Sequence, residues 1–286
     1  MHKRQPSSLP NCNSVKRHSS HPSRSSFRVI GDVEGSSAIF DRVKPILNHS
    51  ETFIFLGDMY AASSINNSIE YIEYLLKFFK FEIRDVFKPS SVTSKDVSTT
   101  FIALRKRKSV SSYKSNSHQF WKTVPPEQTN YSTKCIFLFG NKEIAFIRDL
   151  CEESNITISD SLINVSYKKD DETNSVSTFS CHQLNVMLSY LYLCRHYFIT
   201  GDILFTHCYL NSMKMRDIKI GKIICGHNKG FGKFFDDKLP NTEIYMNDLT
   251  CGSSIPDDVS IKVSTSFVTF ISQFTRSPTM ESLHAF

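Results

Sequence analysis

The stretch Val29-Ile30-Gly31-Asp32-Val33-Glu34-Gly35 decides how the rest of this 286-residue sequence is interpreted. An apolar run ends there in a glycine, two carboxylates and a second glycine. This order is typical of a buried strand that delivers Asp32 and Glu34 into a turn at its C-terminal end. Ser36 or Ser37 is then placed to cap a following helix. Because ligands of open α/β sheets bind at such strand ends, we expect Asp32 and Glu34 to lie in a ligand site.

Four further apolar runs end on a side chain that can bind a metal ion. They are residues 53–57 followed by Asp58, residues 136–140 followed by Asn141, residues 203–206 followed by His207, and residues 223–226 followed by His227. Carboxylate and amide oxygens and imidazole nitrogens suit hard or borderline divalent ions. A single buried histidine is more often structural, but the coincidence of five strand ends favours one shared site. The sequence therefore predicts a metal site made of Asp32, Glu34, Asp58, Asn141, His207 and His227.

The order of apolar segments predicts an α/β (α+β) fold. Strands near residues 27–33 and 52–56 are each followed by a segment with helical spacing, which indicates βαβ units and a partly parallel sheet. The second half contains an apolar helix predicted at residues 183–198. Strands follow at residues 202–207, 219–227, 243–247 and 260–270. We expect two packed sheets flanked by helices.

The net charge of +6 is unevenly distributed and indicates the domain organisation. Residues 1–26 hold five Lys and Arg side chains and no acidic one, and residues 84–133 hold nine against three. These segments contribute +5 and +6, so the remaining chain carries −5 and is not a basic nucleic-acid-binding domain. We expect a disordered Ser-rich tail at 1–26, one domain at 27–276 with a basic low-order insertion at 84–133, and a C-terminal tail at 277–286.

The cysteines and the apolar runs indicate a cytoplasmic protein. The eight cysteines form no C-x-x-C pair and several lie in apolar segments, which is typical of reduced thiols in the cytosol or nucleus. No apolar run reaches the ~18 to 20 residues that span a bilayer, and the N-terminus has no signal-like apolar region, so we expect no membrane association. The run Arg105-Lys106-Arg107-Lys108 is either a solvated loop, which is more common, or a nuclear address.

The motifs in order resemble those of the calcineurin-like metallophosphoesterases. They are Gly31-Asp32-x-x-Gly35, Gly57-Asp58, Gly140-Asn141-x-Glu143, His207 and Gly226-His227. The nearest resemblance is to the diadenosine-tetraphosphatase type within the phosphoprotein phosphatase group, and it covers about residues 27–252. It implies a four-layer β-sandwich of two mixed sheets flanked by helices. It also implies a pair of metal ions, often Mn, Fe or Zn, that clamp a phosphate and activate a water.

The resemblance implies one complete half of the metal site. One ion of the family is held by the residues that correspond to Asp58, Asn141, His207 and His227, and all four are present here.

The other half of the site departs from the family pattern. Asp32 is present, but the two histidines expected for the second ion are Glu34 and Lys229 in this chain. Lys142 stands where the family has its proton-donating histidine, and Ala61-Ala62 stands where it has an Asp-Arg pair.

Two interpretations of this altered half remain open. In the first, which we favour, Glu34 is a ligand, Lys142 and Lys229 stabilise phosphate charge, and the chain is a divergent phosphoesterase with one or two divalent ions. Oxygen ligands then favour Mn or Mg over Fe or Zn. In the second, Lys229 replaces one ion by pairing with Asp32 and Glu34. The chain is then an inactive phosphatase-like module that recognises phosphorylated partners.

The expected partner is a phosphorylated small molecule or a phosphoprotein. A nucleic-acid phosphodiesterase is a weaker third option, in which the basic segments at 1–26 and 84–133 would add salt-sensitive affinity.

Overall fold

The structure is a computed structural model of the chain. It describes residues 26–108, 134–169, 173–208, 220–227, 231–234, 241–247, 249, 260–263 and 268–270. The predictions for residues 1–25, for the C-terminal tail at 277–286 and for Lys229 lie outside the described residues.

The described residues form a mixed α/β fold with five helices and three sheets. The helices are α1 (Ser37–Val43), α2 (Ile65–Phe78), α3 (Ser94–Arg107), α4 (Asn141–Leu150) and α5 (Cys181–Leu193). The strands of the first half are β1 (Phe27–Ile30), β2 (Thr52–Phe55), β3 (Cys135–Phe137), β4 (Ile156–Ser159), β5 (Leu162–Lys169) and β6 (Thr173–Ser180). The strands of the second half are β7 (Tyr197–Thr200), β8 (Ile203–Thr206), β9 (Lys222–Cys225), β10 (Phe231–Phe234), β11 (Glu243–Asn247), β12 (Ser260–Val263) and β13 (Val268–Phe270). The α/β class predicted from the sequence is confirmed.

Two of the sheets are mixed, and each has three adjacent parallel strands. The first sheet has the order β13-β12-β1-β2-β3, in which β1, β2 and β3 are parallel. The second has the order β10-β11-β9-β8-β7, in which β8, β9 and β11 are parallel. Parallel neighbours bring their carboxyl ends to one edge, so each sheet gathers the polar residues that follow its strands. The third sheet is an antiparallel β4-β5-β6 meander.

The first two sheets pack against each other through alternate residues of their strands. One buried cluster contains Val29 and Ile54 of the first sheet together with Phe205 and Ile224 of the second. The ring of Phe27 lies 5.7 Å from that of Phe205 across this cluster. Burial of these side chains is the main force that holds the two sheets together. It thereby keeps the carboxyl-terminal edges of the two sheets, with their polar residues, close to each other.

The other faces of these two sheets differ. On the first sheet, Ile30 and Phe55 belong to a large cluster that also contains residues of all five helices and of the third sheet. Strands β1 to β3 are therefore buried on both faces, as their continuous apolar sequences predict. On the second sheet, the outward cluster around Leu204 and Ile223 contains no residue of a described helix.

Helix α3 corrects the prediction of a low-order insertion at 84–133. Thr93 caps the helix by accepting a hydrogen bond from the backbone of Asp96, and Val97, Phe101 and Leu104 are buried in the large cluster. The prediction was wrong for residues 94–107 because these three apolar residues already form a helical stripe among many polar ones. Residues 109–133 lie outside the described part of the chain.

The basic run is the end of this helix rather than a loop. Its first three residues, Arg105 to Arg107, form the last turn of α3, and Lys108 follows as the C-cap. Cations are favourable at a helix C-terminus because of the helix dipole.

The helix predicted at 183–198 is shorter than expected. Helix α5 ends at Leu193, and Phe198 lies in strand β7. The backbone of Arg195 pairs with that of Phe137 and Phe139 instead of continuing the helix, so pairing with the first sheet overrides the local apolar pattern. Among the described helices, none combines the length and the apolar character that crossing a bilayer requires.

Candidate metal centre

Four of the predicted ligands meet where the two sheets face each other. Asp32 and Asp58 follow strands β1 and β2, and His207 and His227 follow β8 and β9. Each of the four offers one ligand atom, and these atoms all lie within 4.8 Å of one another. Two carboxylates and two imidazoles at this spacing form a group that can hold a divalent metal ion.

His207 is oriented as a metal ligand would be. It is buried, and its Nδ1 lies 3.1 Å from the carbonyl oxygen of Leu56, which can only accept a hydrogen bond. With the proton on Nδ1, that nitrogen donates to the carbonyl and the Nε2 lone pair points towards Asn141 Oδ1 at 3.0 Å and Asp58 Oδ1 at 3.6 Å, which is the tautomer that a metal ligand requires. Burial, with a smaller contribution from His227, lowers the pKa of His207 to about 3, so the ring is neutral at physiological pH. A carbonyl that fixes the second ring nitrogen is the usual support of a histidine ligand.

Asn141 joins the group through helix α4. It is the first residue of that helix, directly after the turn that follows β3. Its amide oxygen and a carboxylate oxygen of Asp58 both lie close to Nε2 of His207. With Nε2 unprotonated and Asp58 ionised, these three atoms offer only lone pairs, and a cation between them removes their mutual repulsion.

Asp58 is the carboxylate that fits a cation best. Its side chain is fully buried, Oδ1 accepts a hydrogen bond from the backbone N–H of Lys142 at 3.0 Å, and Oδ2 has no hydrogen-bond partner among the described residues. Burial and the nearby charge of Glu143 raise the pKa of Asp58 to about 8. A buried, incompletely bonded carboxylate is costly unless a positive charge compensates it. The residues present therefore fit a divalent ion.

His227 completes the group at its solvent side. Its ring centroid lies 4.9 Å from that of His207, and its Nδ1 lies 3.9 Å from Asp58 Oδ2. Its side chain is 44% exposed, whereas that of Asp58 is inaccessible, so the centre opens towards solvent on this side. Both residues have left-handed backbones, with φ of +33° and +47°. Such strain in non-glycine residues is common at functional sites.

Glycine makes the close approach of these turns possible. A Cβ on Gly140 would lie 1.9 Å from Asp58 Oδ1, and a Cβ on Gly226 would lie 2.4 Å from Asp32 Oδ1. Both distances are far shorter than a van der Waals contact, so any side chain at these positions would displace a carboxylate of the group.

Glu143 supports the centre and had no role in the sequence prediction, although it is part of the Gly-Asn-x-Glu motif. It is fully buried and accepts hydrogen bonds from the backbone N–H groups of Asp58, Tyr60 and Gly140 at 2.9 to 3.0 Å. The hydroxyl of Tyr190 donates a fourth at 3.3 Å. Burial raises the pKa of Glu143, and the three backbone donors oppose that rise. One carboxylate thus ties the turn after β2 to the start of α4. The signal in the sequence was a glutamate three residues into a helix, a capping position.

Glu34 and Lys142 form an ion pair with each other. Their side chains are 27% and 32% exposed, and Glu34 does not belong to the group of four ligands. The pairing of Glu34 with Lys229, considered in the second interpretation of the sequence, involves a residue outside the described part of the chain.

Comparisons of this chain with protein-family models, with curated proteins and with solved structures found no match. The conclusion that the structure itself supports is a potential divalent-metal centre formed by Asp32, Asp58, His207 and His227.

Proposed function

We propose that this chain is a metal-dependent phosphoesterase of the calcineurin-like type. The observation that carries the proposal is the buried group of Asp32, Asp58, His207 and His227 at the carboxyl ends of parallel strands. The order of the motifs along the chain and the two facing mixed sheets are in keeping with that family. We extend the proposal to the four-layer architecture of that family, two mixed sheets flanked by helices.

The proposed ion is held by Asp32, Asp58, Asn141, His207 and His227, with Mn²⁺ or Mg²⁺ preferred over iron or zinc because oxygen ligands are in the majority. The chemistry that such an ion supplies is polarisation of a phosphoryl oxygen and activation of the attacking water. His207 remains neutral and able to ligate because burial lowers its pKa. Glu143 holds the backbone of Asp58 in position.

Lys142 supplies positive charge to the proposed substrate. It lies in the first turn of helix α4, where the helix dipole also favours an anion. A phosphate ester bound beside the metal centre would therefore meet an ammonium as well as a metal ion. The proposed substrate class is a phosphorylated small molecule or a phosphoprotein.

A second candidate is a phosphate-binding module with little turnover. The Glu34–Lys142 ion pair favours this binding module, because the family that the chain resembles has histidines at both positions. The ion pair offers no imidazole to protonate a leaving group. Loss of general acid catalysis typically costs ~10² to 10⁴ in rate.

The test is turnover of p-nitrophenyl phosphate and bis-p-nitrophenyl phosphate by the full chain with Mn²⁺ or Mg²⁺. We expect Asp58→Asn to lower turnover by at least ~10³-fold, since it removes a charged ligand of the ion. Asp160→Asn is the matched control, because Asp160 is exposed and has a similar backbone, with φ of +50°. Turnover that survives Asp58→Asn would refute the proposal. Bound Mn²⁺ without turnover would favour the binding module, and activity on the diester alone would favour a phosphodiesterase.

A further inference from the structure

The Glu34–Lys142 ion pair is anchored to the metal centre by main-chain hydrogen bonds. The backbone N–H of Glu34 donates to the carbonyl oxygen of Asp58 at 2.8 Å, and the backbone N–H of Lys142 donates to Asp58 Oδ1 at 3.0 Å. Glu34 is also held with φ of +49°. Both members of the pair are therefore fixed relative to the same ligand, and the ion pair is part of the centre rather than a chance surface contact.

The Glu34–Lys142 ion pair limits the room for a second divalent ion. Four carboxylates surround the centre, since Glu34 and Glu143 add their negative charges to those of Asp32 and Asp58, and Glu143 already accepts four hydrogen bonds from protein donors. A divalent ion within the group of four ligands neutralises Asp32 and Asp58. Lys142 already neutralises Glu34, the carboxylate that a second ion would need as a ligand. A second divalent ion would have to displace the ammonium and would meet its repulsion.

We propose that the Glu34–Lys142 pair occupies the position of a second cation, so that the centre holds one divalent ion, and that the Lys142 ammonium binds the oxyanion beside that ion. The identity of the oxyanion as a phosphate ester rests on the proposed function, but the number of ions does not. The pair thus fixes a hybrid site in which one positive centre is a metal ion and the other is an ammonium. Lys142 acts as a positioning and anion-binding residue.

The first measurement is the Mn²⁺ stoichiometry of the full chain by calorimetry, with electron paramagnetic resonance of the bound ion. We expect one Mn²⁺ per chain and the six-line spectrum of an isolated ion. Two bound Mn²⁺ with an exchange-coupled spectrum would overturn the inference. This measurement needs no variant, so it does not depend on whether a substituted chain folds.

The second measurement removes the ammonium partner of Glu34. In Lys142→Met the Glu34 carboxylate is no longer paired with that ammonium, and we expect a second Mn²⁺ to bind. In Glu34→Gln/Lys142→Met that carboxylate is absent, and the stoichiometry should return to one. Lys77→Met is the matched control, because it breaks a surface ion pair with Glu73 on helix α2. A stoichiometry of one in Lys142→Met would show that the pair does not close a cation position and would overturn the inference.

The third measurement tests the anion. Inorganic phosphate should bind the Mn²⁺-loaded double variant Glu34→Gln/Lys142→Met about tenfold to a hundredfold more weakly than the loaded wild type, the usual effect of losing one hydrogen bond to a charged group. Unchanged phosphate affinity would overturn the role of Lys142. One bound Mn²⁺ without any turnover would support this inference while contradicting the proposed function, whereas no bound Mn²⁺ would contradict both.

Discussion

The substitution Glu143→Gln tests how much one buried carboxylate contributes to holding the centre together. Each carboxylate oxygen of Glu143 accepts two hydrogen bonds, Oε2 from the backbones of Asp58 and Gly140 and Oε1 from the backbone of Tyr60 and the hydroxyl of Tyr190. An amide retains one oxygen and replaces the other with an NH₂ group, which cannot accept. With the NH₂ group at the Oε2 position, two buried backbone donors lose their acceptor. With it at the Oε1 position, the backbone N–H of Tyr60 loses its acceptor, while the Tyr190 hydroxyl can rotate to accept from the NH₂ group.

The expected loss of unfolding free energy follows from the donor that stays unsatisfied in the more favourable orientation. At ~1 to 3 kcal/mol for an unsatisfied buried donor, Glu143→Gln should cost ~1 to 3 kcal/mol. For a chain of this size that corresponds to roughly 2 to 12 °C in Tm. The Mn²⁺ affinity should fall as well, because the turn that carries Asp58 is released from the start of helix α4.

The assays are thermal and urea unfolding followed by circular dichroism, together with Mn²⁺ calorimetry. Glu70→Gln is the matched control, since Glu70 is an exposed residue of helix α2 and its replacement should change the unfolding free energy by less than ~0.5 kcal/mol. A loss in Glu143→Gln as small as that of the control would refute the role assigned to Glu143.

Three further predictions concern packing and pH. Gly140→Ala places a Cβ 1.9 Å from Asp58 Oδ1 and should abolish Mn²⁺ binding in calorimetry. The control is Gly201→Ala, whose Cβ lies in open space and whose positive φ should cost about 1 kcal/mol of unfolding free energy. Equal losses of Mn²⁺ binding in the two variants would contradict this prediction. Mn²⁺ affinity should rise between pH 6 and pH 8, because the pKa of Asp58 without an ion is raised to about 8 and the ion must displace the proton of Asp58. A Mn²⁺ affinity that does not change over this pH range would contradict the prediction. Phe101→Ala should lower the unfolding free energy measured in urea by ~3 to 5 kcal/mol, because Phe101 is buried. Ile102→Ala, at an exposed position, should lower it by less than ~1 kcal/mol. Similar losses in the two variants would mean that helix α3 is not part of the core.

The strand ends could be predicted from the sequence because local signals coincide there. An apolar run, a glycine and a polar residue follow one another at Asp32, Asp58, Asn141 and His227, and the apolar run before His207 is equally clear. Parallel strands present their carboxyl ends at one edge, so the step from a motif to a shared site needs only the fold class.

The partners of the charged residues could not be predicted in the same way. Glu34 and Lys142 are far apart in the sequence, and nothing local indicates that they form an ion pair. The role of Glu143 as the acceptor of four donors also depends on tertiary structure, since three of them come from other segments.

Helix α3 shows a different reason for failure. The composition of residues 84–133 is dominated by polar and basic residues, which suggested low order. Within it, Val97, Phe101 and Leu104 have the spacing of a buried helical stripe, and a Thr-x-x-Asp cap precedes them. Composition averaged over a long window concealed a local pattern that a shorter window would have detected.

The most direct test of the metal centre is anomalous diffraction at the manganese absorption edge from crystals of the full chain grown with Mn²⁺. We predict an anomalous peak at the group formed by Asp32, Asp58, Asn141, His207 and His227. Crystals of Asp58→Asn grown in the same way should lack that peak. Manganese bound only at other residues, or no peak at this group in crystals saturated with Mn²⁺, would contradict the assignment of these strand ends as a metal centre.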